Sequence, residues 1–367
     1  MIFGGNYDMA SNNNNDTRTY HEQTFIDDTL RLRDVLKTMP PFTRDYFRAI
    51  EPKTSSKTRI SYAYDIRIFF NFLIETNPVY KDYDVTQFTL KDLELVEPVD
   101  IEEYQEYLKV YRSANDDRQI TNTEKGLARK MSALRSFYGY YYRHQMIEKN
   151  PTVFVDMPKL HDKAIIRLDT DEIALLLEYV EHGGDELTGQ KKAYFEKTRN
   201  RDLAILTVLL GTGIRVSECV GLDINDVDFK NNGIKVIRKG GNEMIVYFGE
   251  EVEHALKAYM YTTREAITPL PGSENALFLS TRRQRIGVQA VENMVKKYAA
   301  CVTPNKKITP HKLRSTYGTA LYKETGDIYL VADVLGHRDV NTTKKHYAAI
   351  DDHRRRQAAD AVKLREP

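Results

Sequence analysis

Residues 211–222 read Gly-Thr-Gly-Ile-Arg215-Val-Ser-Glu218-Cys-Val-Gly-Leu. Ahead of them, Arg199 to Leu210 is a long apolar run of the kind that forms a buried helix. The two glycines stop that helix, and Arg215 opens the next one. Arg215 and Glu218 are three apart and share a helical face. An arginine at a helix N-terminus opposes the macrodipole unless an anion sits there. Taken alone, the segment reads more simply as a surface arginine with an ion-pair partner.

Downstream, three short strands are expected at Val227 to Phe229, Ile234 to Arg238 and Met244 to Phe248. The last two are joined by Lys239-Gly240-Gly241-Asn242, a hairpin signal that puts Lys239 at the turn. Thr309-Pro310-His311-Lys-Leu-Arg314-Ser-Thr follows. Pro310 suits a first helical turn, which leaves His311 and Arg314 adjacent on one face. A guanidinium fork beside a titratable donor matches a phosphodiester. Last comes Leu335-Gly336-His337-Arg-Asp-Val-Asn-Thr-Thr-Lys-Lys-His-Tyr347. Gly336 reads as the left-handed stop of a helix starting near Ile328. Asn341 or Thr342 would cap the helix that carries Tyr347. A single tyrosine on a helix is ordinarily a core residue.

The N-terminal part has a different texture. Residues 1–20 are rich in Gly, Asn and Asp and are expected to be a disordered leader. Helices are expected over Thr24 to Lys37, Ser56 to Glu75, Ile101 to Tyr111 and Thr121 to His144. Tyr138 and Tyr141 fall on the apolar stripe of the last, which makes them core. Asn150-Pro151 through Lys163 lacks periodicity and reads as a linker. A further helix begins near Thr170, with Ile173, Leu176, Leu177 and Val180 as its stripe. The expected organisation is a leader 1–20, a helical domain 21–150, a linker 151–166, a second domain 167–351 and a tail 352–367.

Composition sets the outer limits. The 367 residues suit two domains. Apolar residues make 41% and charged residues 29% of the chain, as in soluble globular proteins. No apolar run of transmembrane length is present, no secretory leader is expected, and the two cysteines, Cys219 and Cys301, stand in unrelated contexts. A cytoplasmic protein with no membrane partner is expected. The net charge of +1 conceals segregation. Asp82–Asp117 holds 3 basic and 11 acidic residues, while Arg118–Lys149 holds 7 basic and 2 acidic. A basic helix can therefore meet phosphates while the acidic segment faces away. Lys125, Arg129, Lys130 and Arg135 lie on that helix, and Lys57 and Arg59 on the one expected over Ser56 to Glu75. These six are the candidate contacts if the partner is DNA.

Each of the four C-terminal motifs has an ordinary explanation. Together, in this order, GTGIRVSE, RKGGNEMIV, TPHKLRSTYGTAL and LGHRDVNTTKKHY resemble the tyrosine recombinase (phage-integrase-type) family. The resemblance runs from about Thr54 to Asp351. It implies a mainly α fold with a small antiparallel β-sheet. It also implies a two-domain, C-shaped DNA clamp made of a SAM-like helical core-binding domain and a catalytic domain.

The resemblance assigns roles residue by residue. Arg215 and Arg314 match the two catalytic arginines, Lys239 the hairpin lysine and His311 the histidine. His337 matches a position that is His or Trp among relatives, Glu218 an acidic support for the first arginine, and Tyr347 the nucleophile. The implied reaction is site-specific cleavage and rejoining through a 3′-phosphotyrosine, with strand exchange via a Holliday junction. It needs no cofactor, metal or ATP, and the chain shows neither a Walker-type loop nor a carboxylate cluster for Mg²⁺. The implied partners are double-stranded DNA at a recombination site and further copies of the chain, a dimer per site and a tetramer in the synapse. Residues 350–367 are expected to dock on a neighbouring copy. A type IB topoisomerase is the nearest alternative, although such enzymes resemble Lys-x-x-Arg where this chain has His311 and Arg314. A non-catalytic DNA-binding protein on the same scaffold is the other. His346 matches no family position, and the role of the mobile-element integrase as against a Xer-like resolvase stays open.

Overall fold

The structure is a computed structural model that describes residues 18–112, 118–161, 166–185, 187–238, 241–337 and 339–340. The chain divides between residues 163 and 164 into two compact units.

The first unit is built on helices α1 (Tyr20–Lys37), α2 (Thr43–Ala49), α3 (Ser56–Thr76), α4 (Leu90–Leu95), α5 (Pro98–Tyr107) and α6 (Glu124–Arg143). Helix α1 opens four residues before the expected Thr24, because Thr19 and Glu22 cap its first turn reciprocally. Ser55 caps α3, accepting from the Thr58 N–H at 3.3 Å. Phe69, Phe70 and Leu73 of α3 and Met131, Leu134, Phe137 and Tyr138 of α6 are buried in one core. The buried tyrosines find acceptors for their hydroxyls. Tyr46 donates to Ser136 Oγ at 2.9 Å and Tyr141 to the Phe42 carbonyl at 2.9 Å.

The expected helix 101–111 is displaced. Pro98 occupies its first turn, the Asp100 carboxylate accepts from the Glu97 N–H at 2.8 Å, and the helix ends at Tyr107. Val110–Arg112 instead forms β1, which pairs antiparallel with β2 (Gln119–Thr121). Beyond α6, residues 151–155 pack back on the unit through Arg135, whose Nε donates to the Thr152 carbonyl at 3.2 Å.

The second unit holds α7 (Thr170–His182), α8 (Gly189–Thr212), α9 (Val216–Gly221), β3 (Val227–Asp228), β4 (Gly233–Ile237), β5 (Glu243–Tyr247), α10 (Glu250–Ala258), α11 (Val288–Val302), α12 (Pro310–Thr325) and α13 (Ile328–Leu335). The α10 axis runs on as a π-helical turn over Tyr259–Arg264. Helix α8 lies at the centre, with Ala204, Ile205, Leu206, Val208 and Leu209 inaccessible to solvent. It begins ten residues before the expected Arg199. The added segment is polar, yet Phe195 and Thr198 within it are buried. The sheet order is β3-β4-β5, all antiparallel, and Ile237 pairs with Glu243 at the hairpin end. Helix α13 packs on α12 through Val331 and Leu335 against Tyr322. No helix among the described residues is long and apolar enough to cross a membrane.

Candidate active site

Helix α8 ends at Gly213, which adopts φ +63°. A Cβ there would stand 2.3 Å from Tyr317 Cδ1, so only glycine fits this turn. The turn delivers Arg215 to the N-cap of α9. The Glu218 carboxylate accepts from the Arg215 backbone N–H at 2.8 Å and from Arg215 Nη1 at 2.7 Å. Glu218 is buried, whereas the Arg215 side chain keeps 34% of its surface exposed. The arginine is therefore fixed from behind and open in front, an arrangement suited to an anion from solvent.

Pro310 starts α12, and Arg314 lies one turn in. His311 is exposed and Arg314 is buried. Arg314 Nη1 donates to the Gly213 carbonyl at 2.6 Å, and its Nη2 donates to the Leu335 carbonyl. The Gly213 turn thus presents one arginine and anchors the other.

Helix α13 ends at Gly336, in the left-handed region at φ +60°. The Gly336 N–H donates to the Asp333 carbonyl at 2.8 Å, and the His337 N–H to the Ala332 carbonyl at 2.9 Å. The terminal carbonyls face three guanidinium groups. Arg215 Nη2 donates to the Gly336 carbonyl at 3.4 Å. Arg314 reaches the Leu335 carbonyl, while Arg238 donates to the Val334 and Leu335 carbonyls at 2.8 and 3.1 Å. Cations at the negative end of a helix dipole are favourable, and they satisfy carbonyls that the helix itself leaves unbonded. His337, half-buried, follows directly. The fold thus brings Arg215, Glu218, Arg314 and His337 to one place.

Arg238 was not among the expected site residues. It is buried, and its Nη1 lies 3.5 Å from Glu218 Oε2. Burial pushes its guanidinium below the ordinary arginine range, and the Glu218 carboxylate pushes back. Strand alternation carries the signal for it. Ile234 and Val236 are buried on one face of β4, and Arg238 is next in that series.

Lys239 and Tyr347 lie outside the described residues, as do His346 and the tail 352–367. The candidate DNA contacts in the first unit divide in two. Lys57 and Lys125 are exposed. Arg59 and Lys130 are each only 6% exposed, in ion pairs with Glu51 at 2.9 Å and Asp65 at 3.4 Å. Arg129 also pairs with the buried Asp65, and Arg135 holds residues 152 and 155. These four act within the fold in this conformation. Basic residues between apolar ones do not tell from sequence whether a carboxylate on another helix waits for them.

The match to the phage integrase family covers residues 167–354. The chain belongs to that family. Among its relatives, the tyrosine recombinase XerC of Caldanaerobacter subterraneus subsp. tengcongensis is 33% identical over 332 residues, 88% of this chain and 86% of the relative. The tyrosine recombinase XerS of Streptococcus thermophilus (strain CNRZ 1066) is 30% identical over 346 residues, 88% of this chain and 95% of the relative. This family member is accordingly a tyrosine-type site-specific DNA recombinase. The fold agrees with solved structures of low identity. The Tn1549 transposon integrase, in complex with transposon right end DNA, superposes with a TM-score of 0.61 at 20% identity, covering 86% of this chain and 98% of that one. XerH bound to palindromic difH superposes with a TM-score of 0.58 at 19% identity, covering 83% and 78%.

Proposed function

We propose that Tyr347 attacks a scissile phosphate of double-stranded DNA at a specific site, and that Arg215, Arg314 and His337 hold that phosphate. The observation carrying this reading is the convergence of Arg215 and Arg314 on the Leu335–Gly336 carbonyls, directly before His337. Two guanidinium groups fixed there supply positive charge to the non-bridging oxygens as negative charge builds on them. Glu218 holds Arg215 in register. The bond formed is Tyr347 Oη to phosphorus, and the bond broken is phosphorus to the 5′ oxygen. A phenol ionises near pH 10, so its proton needs an acceptor, for which His311 is the candidate. Lys239 is the candidate donor to the departing 5′ oxygen. The phosphotyrosine conserves the ester, and a free 5′ hydroxyl reverses the step to rejoin the strand.

The two units are proposed to close on the duplex as a clamp. Two copies occupy each site and four form the synapse, with residues 350–367 docking on a neighbour. Lys57 and Lys125 are the preferred phosphate contacts of the first unit, since both are exposed.

The test is a nicked duplex carrying a site selected by this protein from a randomised duplex pool. The wild-type chain traps a covalent adduct on a denaturing gel, and Tyr347→Phe does not. An adduct with the Phe variant would refute Tyr347 as nucleophile. Relaxation of supercoils without exchange between two sites would shift the reading to a topoisomerase.

A further inference from the structure

We infer that Arg238 is a positioning residue of the phosphate site, which acts by registering the Arg215–Glu218 pair against the C-terminal end of α13. The inference rests on the function proposed above. Arg238 makes contacts with three parts of the site at once. Its Nη1 shares the Glu218 carboxylate with Arg215. Its two terminal nitrogens donate to the Val334 and Leu335 carbonyls, the second of which Arg314 also uses. Its backbone closes the hairpin turn, with the Arg238 N–H donating to the Asn242 carbonyl at 2.8 Å and the Gly241 N–H to the Arg238 carbonyl at 3.0 Å. Lys239 is the next residue in the chain.

The fit is close. A Cβ on Gly336 would come within 3.1 Å of Arg238 Cζ and 3.2 Å of its Nε. The guanidinium therefore packs directly against Gly336, whose carbonyl Arg215 binds.

Stability alone is a poor reason for such a residue. Burying a guanidinium costs desolvation, and a whole buried ion pair or triad replaced by apolar side chains of similar volume is often as stable or more so. The Arg238 Nε finds no hydrogen-bond partner among the described residues, which adds to that cost. What an apolar residue cannot supply is a fork that spans Glu218 and two carbonyls. Removing the fork leaves Glu218 tied to Arg215 but no longer to the end of α13, and leaves the helix end before His337 with fewer donors.

The test uses the full chain with Arg238→Met and Arg238→Lys. The substrate is the selected nicked duplex, cut in single turnover with protein in excess. A second duplex carries a methylphosphonate at the scissile position, which removes the charge of one non-bridging oxygen. DNA affinity and thermal unfolding are measured alongside. Arg238→Met binds DNA as the wild type does and unfolds at a lower temperature, since Glu218 and the Val334 carbonyl each lose a partner. Assayed well below that temperature, it cleaves the phosphodiester about 100-fold more slowly, the order of loss expected from misplaced groups. Its deficit narrows on the methylphosphonate, because less charge has to be met there. Arg238→Lys falls between, since it keeps the charge without the fork.

Full-rate cleavage by Arg238→Met overturns the inference. So does an equal deficit on both duplexes, or a loss that only follows weaker binding or that vanishes when the variant is assayed well below its unfolding temperature. A wild-type chain that forms no adduct with the selected site overturns the proposed function itself.

Discussion

Glu218 grips Arg215 at two points, through the backbone N–H at 2.8 Å and the guanidinium at 2.7 Å. The same buried carboxylate also faces Arg238. Glu218→Gln keeps the size and an acceptor but removes the counter-charge of two arginines. The expected loss of stability is about 3 kcal/mol, since breaking a buried pair strands its partner. Urea unfolding measures it, and a change within error would show that Glu218 does not hold these cations. Adduct formation should fall as well, because Arg215 loses its fixed rear contact.

Gly213 and Gly241 form a controlled comparison. Both have positive φ, +63° and +86°. A methyl group at 213 meets Tyr317 at 2.3 Å, whereas nothing lies within 4 Å at 241. Gly241→Ala should cost about 1 kcal/mol, the left-handed penalty alone. Gly213→Ala adds overpacking of about 2 kcal/mol and displaces the carbonyl that anchors Arg314. Equal denaturation midpoints for the two variants would contradict this account of the turn.

The basic residues of the first unit should separate by salt dependence. Removing an exposed phosphate contact lowers the slope of log affinity against log salt by about 0.9. Lys57→Ala and Lys125→Ala are expected to do so. Lys130→Ala should leave the slope unchanged and destabilise the unit, because it leaves the buried Asp65 with Arg129 alone. A reduced slope for Lys130→Ala would mean that the α6 surface rearranges on DNA.

Thiol chemistry tests the burial of α9. Burial pushes the Cys219 thiol up to about 12, with the Glu218 carboxylate adding to the effect. At about pH 8 it therefore stays protonated and unreactive. Cys301 is exposed. An aromatic disulfide reagent should titrate one thiol in the native protein and both after denaturant is added. Rapid reaction of both in the native state would place Cys219 in contact with solvent.

Much of the second unit was legible in the sequence because local chemistry determines it. Pro310 sets the start of α12, Gly336 sets the stop of α13, and the Lys-Gly-Gly-Asn turn sets the hairpin. The start of α8 was not legible, since Gln190 to Lys197 shows little apolar periodicity and its one large buried side chain, Phe195, packs beside Gly184 just past α7. Strand β1 was missed because Val110–Arg112 becomes a strand only by pairing with Gln119–Thr121, across residues of no distinctive pattern.

In the site the same division holds. Arg215, Glu218 and Arg314 were recognisable by motif. Arg238 was not, because its partners at Glu218, Val334 and Leu335 are 20 to 97 residues away. A long-range partner also accounts for Lys130, whose sequence context suggests a basic surface and which the buried Asp65 draws inward. Arg59 is buried too, with Glu51 of the preceding turn as its ion-pair partner.

The clamped end of α13 also limits where Tyr347, the proposed nucleophile, can act. His337 is held by its own N–H to the Ala332 carbonyl, one residue past the three-arginine cluster. Tyr347 follows ten positions later. A chain of that length reaches about 35 Å when fully drawn out. The cluster is thus a fixed origin, and that span sets an outer limit on how far from it Tyr347 lies. On the proposed function, the limit is wide enough for a tyrosine to serve its own copy's site or a neighbour's. Mixing copies that lack only Tyr347 with copies that lack only Arg215 would read out which of the two it serves.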